Sequence, residues 1–145
     1  MARELGQAMG RKGKLFTADT LEPRLRSMMT PWMGEGFFAD VVVLVEGEDD
    51  RAAILSFAKS KKCDFDGMGI AVIPCFGKSS IDRPLVIFRQ LGISVYVVWD
   101  GDRGGNNSEL EVNKRLLRLL RKPEQDWPHF VSESSACFKV NLERQ

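Results

Sequence analysis

The stretch VVVLVEGEDD, residues 41–50, decides the fold, because it places five apolar residues directly before a group of acids. An unbroken run rich in β-branched residues is typical of a strand that is covered on both faces, as in a parallel sheet. Four of the next five residues are acidic, and crowded carboxylates repel one another and resist desolvation. Either a helix N-terminus or a bound metal ion would compensate this charge.

Strands and helices alternate along the rest of the chain. Three more segments predict strands: GIAVIP (69–74), ISVYVVW (93–99) and the weaker ACFKVNL (136–142). Three segments predict the helices between them: EDDRAAILSFAKSKK (48–62), IDRPLVIFRQLG (81–92) and SELEVNKRLLRLLRK (108–122). The second helix would turn Leu91 inward, and the third would begin with a capping box of Ser108 and Glu111. This order predicts an α/β domain with a parallel sheet of about four strands and helices on both faces.

Length and composition fit one ordinary domain. The chain has 145 residues, of which 43% are apolar and 28% charged, and its formal net charge is +1. A nucleic acid would therefore need a local basic patch. Three scattered cysteines and one histidine make a zinc site or a disulfide framework a poor interpretation. No apolar run is long enough to span a membrane. We expect a cytoplasmic protein, with a helical lead-in over residues 1–36 and the α/β domain over residues 37–145.

Two acidic clusters follow predicted strands of the same sheet. Glu46 and Asp50 follow the first strand, and Asp100 and Asp102 follow the third in WDGDRGG. If these strands are neighbours, all four carboxylates meet at the carboxyl edge, where ligands of such sheets bind. Oxygen ligands of this kind suit Mg²⁺ or Mn²⁺. Acids at a helix start and a turn-forming D-G-D-x-G-G stretch also occur without any ligand.

These motifs resemble a known family. A Glu-Gly pair after the first strand and an Asp-x-Asp after the third are similar to the TOPRIM domain of topoisomerases, bacterial primases and related nucleases. The longer stretches FFADVVVLVEGEDD, GIAVIPCFGKSS and GISVYVVWDGD most resemble the TOPRIM nuclease domain of the overcoming-lysogenization-defect (OLD) family. The resemblance covers roughly residues 35–145. It implies a Rossmann-like TOPRIM fold and a metal-dependent DNA endonuclease.

The resemblance also implies roles for particular residues. Glu46, Asp100 and Asp102 would be catalytic, and these three together with Asp50 and Glu143 would bind two metal ions, Mg²⁺ or Mn²⁺. The partners implied are DNA, an upstream ATPase domain through which alone ATP would act, and a second copy of the protein. Two-metal hydrolysis, with ions roughly 3.5–4 Å apart, would explain the acidic patch because the cations offset its repulsion.

Basic residues offer candidate contacts to DNA phosphates. CFGKSS ends like a phosphate-binding P-loop, but position 72 is a valine where that motif requires glycine. Lys78 nevertheless lies at the same sheet edge as the acids. We predict nucleic-acid contacts for four residues: Lys78, Arg103, Arg115 and Arg118. Ordinary solvation of Lys78, and attraction of the arginines to a helix C-terminus, are the alternatives.

Three other functions stay open at this point. The same metal site could serve primase or topoisomerase chemistry, although the single tyrosine, Tyr96, lies inside the third strand. A TOPRIM fold could also have lost its activity and serve as a docking module. A phosphoacceptor receiver domain also gathers acids at strand ends, but it would require a lysine after a fifth strand.

Overall fold

A computed structural model describes residues 29–128 and the backbone of residues 136–139. Most of the predicted lead-in and the predicted ligand Glu143 lie outside these residues. The elements are, in chain order, α1 (Pro31–Gly36), β1 (Val41–Val45), α2 (Glu48–Ser60), β2 (Ile70–Pro74), a 3₁₀ turn (Lys78–Ser80), α3 (Asp82–Gln90), β3 (Ser94–Trp99), α4 (Asn107–Leu119) and β4 (Ala136–Lys139). Among the described helices, none is long and apolar enough to cross a membrane.

The strands form one sheet in the order β2-β1-β3-β4. Strand β1 pairs in parallel with both β2 and β3, and its last residue, Val45, lies opposite Pro74 and Val98. The prediction that strands 41–45 and 94–99 are parallel neighbours is therefore confirmed. Because the three strands end in register, the residues that follow them share one edge of the sheet.

The prediction of an all-parallel sheet is wrong for the fourth strand. Strand β4 runs antiparallel to β3, with Ala136 opposite Trp99. The chain after α4 leads towards that end of β3, since Asn113 Nδ2 donates to the carbonyls of both Gly101 and Asp126. Asp126 therefore lies near the loop that follows β3, at the end of the sheet where β4 begins.

The main core lies between the sheet and helices α1, α3 and α4. It is built from alternate strand residues and the apolar stripes of these helices: Val42, Leu44, Ile73, Val95, Val97, Trp99, Met33, Leu85, Phe88, Leu116 and Leu117. Helix α2 packs on β2 and β1 and covers the opposite face. The predicted inward position of Leu91 is wrong: this residue is 58% exposed because α3 ends at Gln90 and the chain turns away at Gly92, where φ is +78°.

Helix α4 begins earlier than predicted. Its N-cap is Asn106, whose Oδ1 accepts hydrogen bonds from the N–H groups of Ser108 and Glu109 at 3.0 and 3.2 Å. Glu109 Oε2 accepts from the Asn106 N–H at 2.9 Å and completes a capping box. The predicted box of Ser108 and Glu111 is therefore wrong by two residues, because asparagine caps a helix as well as serine does and comes first in the chain.

Candidate active site

Glu46 stands where β1 ends, and hydrogen bonds to both neighbouring strands fix it there. Its carbonyl accepts from the Gly77 N–H at 2.9 Å, which extends the ladder to β2 by one step. Its side-chain Oε2 accepts from the Asp100 N–H at 3.3 Å, across to the end of β3. The carboxylate of Glu46 and the backbone of Asp100 are therefore in direct contact, although they are far apart in sequence.

Negative charge accumulates around this contact. Burial raises the pKa of Glu46, and the carboxylates of Asp102 and Asp100 raise it further, while the Asp100 N–H and the Lys78 ammonium oppose the shift. Burial also raises the pKa of Asp100, followed by repulsion from Asp50 and Asp102, with Lys78 again opposing. The protein thus holds more negative charge at this edge than its own groups stabilise, which is the situation that a bound cation relieves.

Asp50 supports both explanations for the acidic stretch. Its Oδ2 accepts a hydrogen bond from the Gly47 N–H at 2.9 Å and so satisfies one free donor at the start of α2. The same carboxylate is close enough to Asp100 to raise the pKa of that group. Helix capping therefore accounts for the position of Asp50, but it does not offset the repulsion between Asp50 and Asp100, which the Lys78 ammonium opposes only in part.

Asp102 is paired with a lysine from the loop after β2. Lys78 Nζ forms an ion pair with Asp102 Oδ2 and donates to the Asp100 carbonyl at 3.2 Å. The backbone of Asp102 has a φ of +47°, which aspartate tolerates better than most residues, and its carbonyl accepts from the Gly105 N–H at 2.8 Å. This turn directs the Asp102 carboxylate back towards Lys78.

The oxygen-only donor set suits a hard divalent cation. In the described part of the chain, however, no group of three or more Asp, Glu, His or Cys side chains is arranged to hold a metal ion. Glu46 and Asp50 accept backbone N–H bonds, and Asp102 is held by Lys78. The residues fit the chemistry of such an ion, and side-chain rotation would be needed for several of them to ligate it together.

Like Lys78, two further predicted DNA contacts have partners within the domain. Arg115 Nη2 donates to the Ser79 carbonyl at 3.1 Å, and its Nε lies 3.4 Å from Asp82 Oδ2. Arg118 pairs with Glu111 and Glu124 on its own side of the fold. Arg103 is exposed in the turn after β3, next to Asp102. Among the predicted basic residues, Lys78 and Arg103 are thus the two that lie beside the acidic cluster.

The sequence interpretation missed two buried polar residues that support the site. Asn113 is fully buried; it accepts from the Trp99 indole at 3.0 Å and donates to the Gly101 carbonyl at 2.9 Å. Asp82 is 4% exposed and pairs with Arg115. The sequence did contain a signal for Asn113: it lies one helical turn before Leu116 and Leu117, so it is a polar residue on the apolar face of the predicted helix.

Comparison with known proteins agrees with this geometry. The family model of the overcoming lysogenization defect protein-like TOPRIM domain matches residues 37–102, which include Glu46, Asp100, Asp102 and the whole of β1 to β3. Over these residues the chain is similar to an OLD-like TOPRIM domain. The resemblance inferred from the sequence motifs is confirmed over residues 37–102, as is the TOPRIM fold.

Two relatives extend the comparison of the OLD-like TOPRIM domain. An uncharacterized protein of Escherichia coli (strain K12), YbjD, is 35% identical over 105 residues, which is 65% of this chain and 18% of that protein. The OLD nuclease of Thermus scotoductus (strain ATCC 700910 / SA-01) is 38% identical over 68 residues, 47% of this chain and 13% of that protein. The chain thus spans less than a fifth of the length of either relative.

Proposed function

We propose that this domain hydrolyses phosphodiester bonds in DNA with the help of divalent metal ions, two of Mg²⁺ or Mn²⁺. The observation that carries the proposal is the contact between Glu46 Oε2 and the Asp100 N–H at 3.3 Å, which joins the ends of two parallel strands within one acidic cluster. The raised pKa values of Glu46 and Asp100 support it: burial and neighbouring carboxylates raise them, Lys78 offsets this only in part, and a bound cation would stabilise the charged forms.

The carboxylates would act as metal ligands, each with a role set by its position. Glu46, Asp50, Asp100 and Asp102 would hold the ions, together with Glu143, which lies outside the described residues. When bound, such ions supply a water of lowered pKa and stabilise the leaving oxygen. Glu46 cannot shift far, because both its carbonyl and its side chain are bonded to neighbouring strands. We therefore assign it the role of the fixed ligand around which the others adjust.

The partners proposed are DNA, an ATPase domain upstream in the same protein, and a second copy of that protein. The lengths of both relatives support a larger body around this domain, and ATP would act only through that body. On the domain itself, Arg103 is exposed beside Asp102 and is the best-placed predicted residue for a DNA phosphate. Arg115 and Arg118 would have to exchange their present ion pairs to reach one.

Nicking of supercoiled plasmid by the intact protein in Mn²⁺ tests the proposal. Glu46→Gln keeps the side-chain shape and its ability to accept from the Asp100 N–H, so folding should survive while turnover falls by about two orders of magnitude or more. Asp49→Asn is the matched control, since Asp49 is exposed in the first turn of α2. Normal cleavage by Glu46→Gln together with an inactive Asp49→Asn would mean that the wrong carboxylate is assigned.

Two alternatives would show themselves in the same assay. If neither the wild type nor any variant cleaves, and Mn²⁺ does not bind, a docking module that has lost its activity is the better interpretation. Relaxation of the plasmid without net cleavage would indicate topoisomerase-like chemistry, with a nucleophile from outside the described residues. Tyr96 is an unsuitable nucleophile because it lies within β3.

A further inference from the structure

We propose that Lys78 is the resident cation of the acidic site: its ammonium group occupies a cation position formed by Asp102 and the Asp100 carbonyl, and competes with divalent metal ions for it. This inference rests on the proposed metal-dependent function and concerns how the site is controlled.

The backbone delivers Lys78 to this position. Gly77, which precedes it, is bonded to the Glu46 carbonyl at 2.9 Å and has a φ of +121°, a conformation that side-chain-bearing residues rarely adopt. The chain then forms the 3₁₀ turn Lys78–Ser80. Because Gly77 is tied to the end of β1, the root of the Lys78 side chain is fixed relative to Glu46.

A second set of contacts holds the turn from outside. Arg115 on α4 donates to the Ser79 carbonyl at 3.1 Å and lies 3.4 Å from the buried carboxylate of Asp82. Lys78 itself is only 7% exposed, compared with 39% for Asp102. A lysine this deeply buried requires a partner, and its ammonium group is directed at the acidic cluster.

The atoms that Lys78 contacts are metal-ligand atoms. A carboxylate oxygen and a backbone carbonyl are the donors that hard cations take in proteins, and Lys78 Nζ contacts one of each, Asp102 Oδ2 and the Asp100 carbonyl. The ammonium also opposes the upward pKa shifts of Glu46 and Asp100. One positive charge from the chain therefore lies at a position that attracts a metal ion, and Asp102 Oδ2 is not available to that ion while the pair persists.

Mn²⁺ binding to the intact protein, without DNA, measures the competition. The component of binding that Glu46→Gln removes defines the site. Lys78→Met preserves side-chain volume and removes the charge, so we expect the dissociation constant of this component to fall by about three- to tenfold. Lys78→Arg retains the positive charge, so its dissociation constant should not fall as that of Lys78→Met does. Lys59→Met, an exposed lysine in the last turn of α2, is the control. Unchanged or weaker Mn²⁺ binding in a folded Lys78→Met variant would overturn the proposal.

Amine acetylation followed by mass spectrometry provides a readout that needs no metal. Lys78 should label slowly in the metal-free wild type and faster in Asp102→Asn, and Mn²⁺ should speed labelling in the wild type. Equal labelling of Lys78 in wild type and Asp102→Asn would contradict the resident-cation role even if Mn²⁺ binds. Absence of any Glu46-dependent Mn²⁺ binding in both wild type and Lys78→Met would instead refute the metal-dependent function. If Lys78→Met weakens only DNA binding, with Mn²⁺ affinity unchanged, Lys78 is a phosphate contact and the proposal fails.

Discussion

The indole N–H of Trp99 donates to Asn113 Oδ1 at 3.0 Å, and this buried contact links the last residue of β3 to the middle of α4. The amide of the same asparagine donates to the Gly101 carbonyl at 2.9 Å and to the Asp126 carbonyl at 3.2 Å. Asn113 thus fixes the turn that carries Asp100 and Asp102, and it does so without contacting either carboxylate.

Asn113→Ala should destabilise the domain and loosen this turn. The substitution removes the hydrogen bonds of the Asn113 amide to the Trp99 indole and to the Gly101 carbonyl, and the loss of these two bonds costs about 2–4 kcal/mol of unfolding free energy. Urea unfolding followed by tryptophan fluorescence measures the loss. Lys114→Ala, at the neighbouring position of α4, is the control and should cost much less than Asn113→Ala, because the ion pair of Lys114 with Asp126 lies at the surface. Equal stabilities of the two variants would contradict the assigned role.

The aspartates at the end of β3 should respond in opposite directions when neutralised. Asp100→Asn removes a carboxylate whose pKa is raised by burial and by Asp50 and Asp102, so metal-free stability should rise slightly. Asp102→Asn removes the charged partner of the buried Lys78, so stability should fall by about 1–2 kcal/mol. Thermal unfolding in EDTA distinguishes them. If both substitutions stabilise the domain, repulsion between the carboxylates determines the stability of the site, and the ion pair between Lys78 and Asp102 does not contribute to it.

The raised pKa of Asp100 also predicts how the stability of the metal-free domain changes with pH. The folded state holds this proton more strongly than the unfolded chain does, so the penalty from Asp100 is fully present above its folded pKa and is relieved as pH falls through it. Metal-free wild type should therefore lose less stability on mild acidification than Asp100→Asn. Parallel stability curves for the two proteins between neutral pH and about pH 4 would contradict this.

The cysteine thiols should differ in reactivity. Burial, followed by the carboxylate of Asp82, raises the pKa of Cys75 to about 12, whereas Cys63 is exposed. Because the thiolate is the reactive form, Cys75 should resist alkylation in the native domain at pH 8 and react after unfolding. A Cys63→Ala, Cys137→Ala variant isolates Cys75 for mass spectrometry. Rapid native labelling of that variant would mean that the end of β2 opens readily.

Helix ends provide a test of backbone conformation. Gly92 follows α3 with a φ of +78°, and Lys62 follows α2 with a φ of +56°. Both positions are left-handed, and only Gly92 has the residue that adopts this conformation without a penalty. Gly92→Ala should lower the unfolding free energy by about 1 kcal/mol, and Lys62→Gly should leave it equal or slightly higher. If chemical denaturation shows that Gly92→Ala raises the unfolding free energy and Lys62→Gly lowers it, these two residues do not have left-handed backbones.

The sequence determined the elements and the place of the acids. The apolar run 41–45 and the helical periodicities are patterns among residues close in sequence. Strands β1 to β3 and the helices between them could therefore be predicted directly. The position of Glu46 and Asp100 at a shared edge followed from the parallel pairing of two apolar strands. The family assignment rested on the same short motifs.

Only the tertiary structure decided how the charges are partnered. Lys78 and Asp102 are 24 positions apart, and Arg115 and Ser79 are 36 apart, so no local pattern indicated either contact. The antiparallel direction of β4 is likewise visible only in the pairing of Ala136 with Trp99, and no local pattern of residues indicated it. Local periodicity predicts what a segment becomes, whereas the pairing of long polar side chains depends on which segments the fold brings together.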